Sequence, residues 1–464
     1  MTMPVRNYPQ PPSDSSLLER TLRRLRHLWR EPRGSSQLPP LQLNPQLDAE
    51  DIDKLAGWID ACLSKDGDSV TARNRAATLG RNYLELSKQG RLRFLILLAE
   101  RYDLDQQAVE QSFRQWSEAS PEQKHWADQA LRDALDPPRL KLLTQFSSLP
   151  EGVRFLVDMR ADLLQLKREH PQLKGLEADL KRLLISWFDI GLLQIEQLSW
   201  QTSAEILEKL IAYEAVHAIQ SWEDLKNRLD SDRRCFAFFH PSMPAEPLIF
   251  IEVALVQGLA DNVQQLLDQA APALEPEQAD TAIFYSISNA QPGLAGISFG
   301  NFLIKRVVGL LQHDLPGLRQ FSTLSPIPGF CRWLEQQDDS SLSQLPGGEF
   351  WRQLPQPRIT PDSLAREGCR HALLQLVAHY LYRVTGRGND CKDPVAHFHL
   401  SNGARIEQLN WLADSSERGM KQSAGLMVNY LYQLPEIENR SQKYILNGER
   451  AIAPSLKNRL KPQK

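Results

Sequence analysis

A serine and a histidine are the residues of this sequence whose types and settings could do chemistry. Ser325 lies among turn formers in Leu324-Ser-Pro-Ile-Pro328, where two prolines would hold its hydroxyl in one direction. It is outside any GxSxG elbow, which disfavours an α/β-hydrolase nucleophile. His399 alternates with His397 in a segment typical of a short strand, 397–400, so one of the two faces inward. Both residues also fit purely structural roles, and spacing alone leaves the two interpretations open.

A glycine-spaced loop precedes the serine along the chain. Residues 282–288 predict a strand, Gly293, Gly296 and Gly300 follow, and an apolar helix is predicted over 302–311. Free backbone N–H groups at a helix start, together with the helix dipole, favour an anion. The loop is neither GxGxxG nor a P-loop. Its glycines would let the backbone approach a pyrophosphate, or they serve only a tight connection.

Composition excludes several classes of protein. The 464 residues are long enough for two or three domains, and the formal net charge of −3 shows no basic excess, so no nucleic-acid partner is expected. The five cysteines are never closely spaced, which argues against zinc and favours a reduced, cytoplasmic setting. No stretch approaches the ~18–20 apolar residues of a membrane span.

The chain divides into three predicted parts. Residues 1–45 are expected to be loosely ordered around one Arg-rich amphipathic helix, 16–30, which is either a surface helix or a transit peptide. Residues 46–190 repeat apolar positions at three and four, which predicts an all-helical antiparallel bundle. In residues 191–464, strand-like segments alternate with helical ones, such as the helix predicted over 261–269. The predicted fold class is therefore α/β (α+β).

Several long motifs carry a resemblance to a known family. They resemble the malonyl-CoA decarboxylase family, in the same order along residues 190–435: Glu214-Ala-Val-His217, Ala282-Ile-Phe-Tyr-Ser-Ile-Ser288, Gly300-Asn-Phe-Leu-Ile-Lys-Arg-Val-Val308, Leu324-Ser-Pro-Ile-Pro-Gly-Phe330, Phe398-His-Leu-Ser-Asn-Gly-Ala404 and Gly425-Leu-Met-Val-Asn-Tyr430. The N-terminal half is similar to that family only in its helical type.

This resemblance implies a fold and a reaction. An oligomerisation domain of helices would precede a GNAT-like mixed-sheet catalytic domain. The reaction would convert malonyl-CoA to acetyl-CoA and CO2 without metal, biotin or another cofactor. The implied partners are malonyl-CoA and acetyl-CoA and further copies of the chain, as a homo-oligomer (dimer or tetramer), with no nucleic acid and no membrane.

The resemblance also implies site residues. The catalytic residues would be Ser325 and His399, with Tyr432 in support. The CoA-binding loop would comprise Ala295, Gly296, Ile297, Ser298, Phe299, Gly300 and Asn301, and Asn402 is a further candidate for binding CoA. One position departs from the pattern: animal members of the family have a glutamate where this chain has Ser298, so a charge-relay role is not carried over to it.

Loss of CO2 from a malonyl thioester leaves an enolate, so the enzyme must stabilise a developing oxyanion. We expect His399 to donate to the thioester oxygen, and Ser325 to orient the leaving carboxylate and relay a proton to carbon. The sequence also allows these roles to be exchanged. Two other functions are weighed: a CoA-dependent acyltransferase, which needs an acceptor, and a non-catalytic acyl-CoA sensor or scaffold, which needs neither residue.

Overall fold

The computed structural model describes Trp29 and residues 41–64, 69–297, 302–355 and 358–460. Most of the amphipathic helix predicted over 16–30 lies outside the described residues. So do Ser298, Phe299, Gly300 and Asn301 of the predicted CoA loop.

Helices form the first part of the described chain, as the apolar spacing predicted. Local signals set their ends: the Ser87 hydroxyl accepts a hydrogen bond from Gly90 N, and Asp105 caps the helix that begins at Gln106. Buried aromatic rings of Phe94, Phe146 and Phe155 fill the space between them. The helices are α1 (Ala49–Leu63), α2 (Ser69–Glu85), α3 (Lys88–Arg101), α4 (Gln106–Glu118), α5 (Lys124–Ala134), α6 (Pro138–Ser147), α7 (Gly152–Leu166) and α8 (Lys174–Trp187).

A mixed sheet dominates the second part. Its strands are β1 (Gln194–Leu198), β2 (Arg233–Phe239), β3 (Ile249–Val256), β4 (Thr281–Asn289), β5 (Gln320–Thr323), β6 (Ser325–Pro326), β7 (Arg405–Asn410) and β8 (Met427–Tyr432). Their order is β1-β2-β3-β4-β5-β8-β6, and β7 also pairs with β8. Strands β4 and β5 are parallel and the other pairs antiparallel. Because β2, β3 and β4 are buried at nearly every position, both faces of this sheet are covered. The predicted succession of helices and then a mixed α/β sheet is confirmed.

Helices cover the sheet and connect its strands. The parallel pair β4–β5 requires a crossover, and the helix Phe302–Asp314 supplies it. These helices are α9 (Ala204–Tyr213), α10 (Trp222–Arg228), α11 (Val263–Leu266), α12 (Phe302–Asp314), α13 (Phe330–Glu335), α14 (Asp339–Ser343), α15 (Gly348–Arg352), α16 (Pro361–Leu364), α17 (Cys369–Arg383), α18 (Pro394–Ser401), α19 (Glu417–Ser423), α20 (Ile437–Asn447) and α21 (Pro454–Lys457). The helix predicted over 261–269 is shorter than expected, since only α11 forms there.

One secondary-structure prediction near the site is wrong. Residues 397–400 do not form a strand, because they belong to helix α18. The reason is a strong helix start: the Asp393 carboxylate accepts hydrogen bonds from Val395 N and Ala396 N, and Pro394 occupies the first helical position. The apolar and histidine side chains of this short segment are typical of a strand, but the N-cap at Asp393 decides in favour of a helix.

All five cysteines are buried free thiols. Within the described ranges, no three His, Cys, Asp or Glu side chains converge in a way that could hold a metal ion. No described helix is both long enough and apolar enough to cross a bilayer.

Candidate active site

Ser325 is held by strand pairing rather than by a turn. It forms β6 with Pro326, and this two-residue strand pairs with Val428 and Met427 of β8. The side chain is buried, and its hydroxyl donates to Thr323 Oγ1 at 2.8 Å. Strand pairing therefore fixes the backbone of Ser325, and the hydrogen bond to Thr323 directs its hydroxyl.

His399 lies opposite Ser325, near the C-terminal end of α18. Its Nε2 is 3.2 Å from Ser325 Oγ, and its Nδ1 is 2.8 Å from the hydroxyl of Tyr432. The ring of Tyr430 stacks on the imidazole, with centroids 4.5 Å apart and planes inclined by 23°. The structure thus brings together the three predicted catalytic residues, although Ser325 and Tyr432 are 107 positions apart in the sequence.

Burial keeps these groups neutral. His399 is 3% exposed, and desolvation lowers the pKa of its imidazole to about 3. Desolvation also raises the pKa of the Tyr432 phenol well above its ordinary value. At neutral pH, His399 and Tyr432 are therefore an uncharged imidazole and an uncharged phenol.

The hydrogen bonds assign the tautomer of His399. Because the Ser325 proton is directed at Thr323, Ser325 Oγ accepts a hydrogen bond from His399, and the imidazole proton is on Nε2. Nδ1 is then an acceptor, and the Tyr432 hydroxyl donates to it. In this state His399 is a hydrogen-bond donor toward the site and not a base for the serine.

A cavity of about 680 Å³ opens beside this pair. Its described lining is mostly apolar, and none of the described lining residues is Lys or Arg. Ser325, His399, Gly296, Ile297 and Asn402 all line it. Such a cavity, largely apolar with a few converging polar groups, is typical of a small-molecule site.

Asn402 presents one specific atom to a ligand. Its Nδ2 donates to Phe398 O at 2.6 Å, whereas its buried Oδ1 has no partner among the described residues. An unpaired buried acceptor is costly unless a ligand donates to it. As an acceptor, this atom suits a ligand N–H or O–H group rather than an ionised phosphate oxygen, which is itself an acceptor.

The predicted CoA loop is placed in part. Gly296 and Ile297 line the cavity, and Ala295 O accepts a hydrogen bond from Arg160 of the helical part, at 2.9 Å. Ser298–Asn301 lie outside the described residues, so their predicted role stays a prediction.

Sequence reasoning missed two neighbours of the pair. Thr323 Oγ1 accepts hydrogen bonds from the Ser325 hydroxyl and, at 3.2 Å, from Tyr430 N. The Tyr430 ring covers the imidazole. The two-residue spacing of Thr323 and Ser325 was a usable signal, since alternate residues of an extended chain share a face.

The lowered pKa of His399 predicts a pH effect on stability. In the unfolded state the imidazole has a pKa near 6.5, whereas in the folded state its pKa is about 3. Between these two pH values the unfolded state binds a proton that the folded state does not bind. This contribution to the free energy of unfolding is therefore present above pH 6.5 and is lost as the pH falls, by about 2 kcal/mol at pH 5. Urea unfolding at pH 5 and 8 should show this loss in the wild type and not in His399→Gln. Equal pH dependence in both proteins would contradict the burial of a neutral imidazole.

Comparison with known proteins places the chain. Residues 191–464 match the malonyl-CoA decarboxylase C-terminal domain, and residues 102–188 match the malonyl-CoA decarboxylase N-terminal domain. The chain belongs to the malonyl-CoA decarboxylase family. It is therefore an enzyme, of the carboxy-lyase class.

Relatives of the family agree over most of their length. The chain is 38% identical over 347 residues to the mitochondrial malonyl-CoA decarboxylase of Anser anser anser. The matched region covers 69% of this chain and 68% of the relative. The corresponding protein of Mus musculus is 39% identical, covering 69% and 70%. Both relatives are named mitochondrial, and the cytoplasmic setting expected for this chain stays a prediction.

Solved structures of malonyl-CoA decarboxylases are also similar. The protein from Rhodopseudomonas palustris has a TM-score of 0.81 and 39% identity, covering 88% of this chain and 99% of its own. The protein from Agrobacterium vitis has a TM-score of 0.78 and 38% identity, covering 88% and 100%.

Proposed function

We propose that this chain converts malonyl-CoA to acetyl-CoA and CO2 without a cofactor, through an enolate that Ser325 and His399 stabilise and protonate. The observation that carries the proposal is the buried pair itself. The polar atoms Ser325 Oγ and His399 Nε2 lie 3.2 Å apart on the wall of an otherwise largely apolar cavity.

The reaction moves charge from a carboxylate to the thioester. The bond between the carboxylate and carbon 2 breaks, its electron pair passes into carbon 2 and the thioester oxygen, and CO2 leaves. One proton then adds to carbon 2 and gives acetyl-CoA. Because no Lys or Arg is among the described lining residues, the described wall offers the departing carboxylate no ion pair. A donor aimed at the thioester oxygen favours the transition state over this ground state.

His399 suits the role of that donor. Its proton is on Nε2, its ring is fixed between Tyr430 and the hydrogen bond from Tyr432, and it stays neutral because it is buried. A preorganised donor of this kind contributes about 3 kcal/mol to stabilising an oxyanion. Ser325 is the second group within reach: its hydroxyl would turn from Thr323 to hold the carboxylate, and after CO2 leaves it would give its proton to carbon 2 and take up a replacement proton from solvent.

Product analysis tests this function against its competitors. Purified protein incubated with malonyl-CoA alone should release CO2 and form acetyl-CoA in equal amounts. A CoA-dependent acyltransferase would release no CO2 and would require an amine or hydroxyl acceptor. A sensor or scaffold would bind malonyl-CoA and leave it unchanged. Either of these two results would sink the proposal.

Tyr432 is proposed as a positioning residue. In Tyr432→Phe, Nδ1 of His399 loses its donor, so the imidazole is free to carry its proton on the wrong nitrogen. We expect kcat to fall roughly tenfold to a hundredfold, as for other partners that orient a catalytic histidine, with KM changed less than about twofold. The matched control is Tyr382→Phe, whose ring is half-buried beside Arg383. An unchanged kcat in Tyr432→Phe would remove Tyr432 from the mechanism.

We also propose that the chain self-associates. The paired helices α4 and α5 expose Phe113 and Trp126, which are 55% and 74% accessible, so they offer an apolar surface to another copy of the chain. The expected state is a dimer or tetramer. Light scattering of the purified chain measures it, and a monomer at micromolar concentration would contradict the proposal.

A further inference from the structure

The helical part of the chain packs directly on the glycine loop, which is the glycine-spaced segment that begins at Pro292. Helix α7 lies against the short turn Pro292–Leu294 that opens this loop. A β-carbon built on Gly293 would lie 1.8 Å from the backbone oxygen of Val157, a distance that no side chain tolerates. Glycine is therefore required at this position because backbone of α7 occupies the space.

Arg160 of α7 fixes the same loop by hydrogen bonds. The side chain is 1% exposed, and its guanidinium donates to Gly293 O and to Ala295 O, the latter at 2.9 Å. Its Nε also donates to Glu177 of α8 at 3.0 Å. A buried guanidinium bound in three directions holds the loop in one place relative to the helical part.

Two cations share one buried carboxylate at this junction. Glu177 pairs with Arg160 and also accepts a hydrogen bond from Lys167 Nζ at 2.8 Å. Burial alone would raise the pKa of Glu177, but the hydrogen bonds from Lys167 and Arg160 outweigh it and lower the pKa. The carboxylate is thus ionised and shared by two cations, and Lys181 follows it one helical turn further along α8.

Lys181 reaches the loop at the cavity. Its Nζ would lie 3.6 Å from a β-carbon built on Gly296, and Gly296 lines the cavity together with Ser325 and His399. Gly296 has a positive φ of 72°, a left-handed backbone conformation that favours glycine. The absence of a side chain there leaves room between the ammonium and the cavity.

We propose that Lys181 binds a phosphate group of the CoA moiety, so that the helical part of the chain completes the substrate site. This rests on the proposed function for the identity of the ligand. A CoA thioester carries several phosphate charges, and the described cavity wall contains no Lys or Arg to meet them. Lys181 is a cation beside the loop, and an ammonium binds phosphate as a point charge without demanding one geometry.

The test separates a phosphate contact from a structural one. The substitution Lys181→Met is compared with Lys174→Met, which removes an exposed lysine from the start of the same helix. Calorimetry measures the Kd of acetyl-CoA and of acetyl-pantetheine, which lacks all the phosphates. We expect Lys181→Met to raise the Kd of acetyl-CoA about tenfold, the loss of one charge-assisted contact, and to leave acetyl-pantetheine unchanged. Lys181→Arg should restore most of the loss.

Two results would overturn the inference. One is an unchanged Kd for acetyl-CoA in Lys181→Met, and the other is an equal loss for acetyl-pantetheine, which would show a role in the fold. Because binding of acetyl-CoA needs no turnover, the outcome is independent of the proposed reaction. A wild type that binds acetyl-CoA and fails to release CO2 would sink the proposed function and leave the role of Lys181 standing.

Discussion

Replacing His399 by glutamine is expected to lower kcat for decarboxylation by about two to three orders of magnitude, the cost of removing one oxyanion donor. Glutamine keeps an amide N–H, but it lacks the ring that stacks on Tyr430, so no rigidly held donor faces the negative charge that develops on the thioester oxygen. KM should change little, because the lost interaction forms in the transition state. Initial rates of CO2 release over a range of malonyl-CoA concentrations measure both constants.

The control for this variant is His313→Gln. His313 is exposed in the last turn of α12 and lies outside the site, so its replacement should leave kcat and KM at the wild-type values. If His399→Gln kept kcat within threefold of the wild type, the assignment of the oxyanion donor to His399 would be refuted.

The second large effect is expected for Ser325→Ala, with kcat falling about a hundredfold, as for loss of a positioned proton donor. The alanine keeps the β6–β8 pairing and removes only the hydroxyl that faces both Thr323 and His399. The steady-state rates of CO2 release and of acetyl-CoA formation should fall together, because slow protonation of the enolate keeps the site occupied.

Ser322→Ala is the matched control for the serine. Ser322 is also buried in this region of the sheet, and its hydroxyl donates to Tyr430 O at 3.2 Å without lining the cavity. Its loss should lower stability modestly and leave kcat within about twofold, since one neutral hydrogen bond is worth about 1 kcal/mol. If the two alanine variants had the same kcat, the hydroxyl of Ser325 would have no part in the reaction.

Much of the architecture could be predicted from sequence, because local patterns dictate it. The apolar spacing in 46–190 predicted helices, and the run of β-branched and aromatic residues at 282–288 predicted β4. The strand prediction for residues 397–400 failed for a physical reason. Asp393 and Pro394 at the start of the segment determine the helix, and not the residues inside it. Ser325, His399 and Tyr432 were proposed from the resemblance, and only the folded chain shows that they touch.

The contacts of the helical part with the glycine loop could not be predicted. Arg160 and Gly293 are 133 positions apart, and nothing in the sequence around either residue indicates the other. Helical spacing marks Arg160 as a polar residue on an amphipathic helix, which is usually solvated, yet it is one of the most deeply buried large side chains. Long-range pairing of buried charge depends on the packing of two parts of the chain, which local patterns do not encode.

In the proposed mechanism, Ser325 and His399 decarboxylate malonyl-CoA without a cofactor. The most direct test is CO2 release by wild type dialysed against EDTA, measured beside the double variant Ser325→Ala/His399→Gln. We predict that dialysis leaves the wild-type rate unchanged and that the double variant is slower by at least about two orders of magnitude. A dialysed wild type that needs a divalent ion to release CO2, or a double variant within threefold of it, would contradict the account.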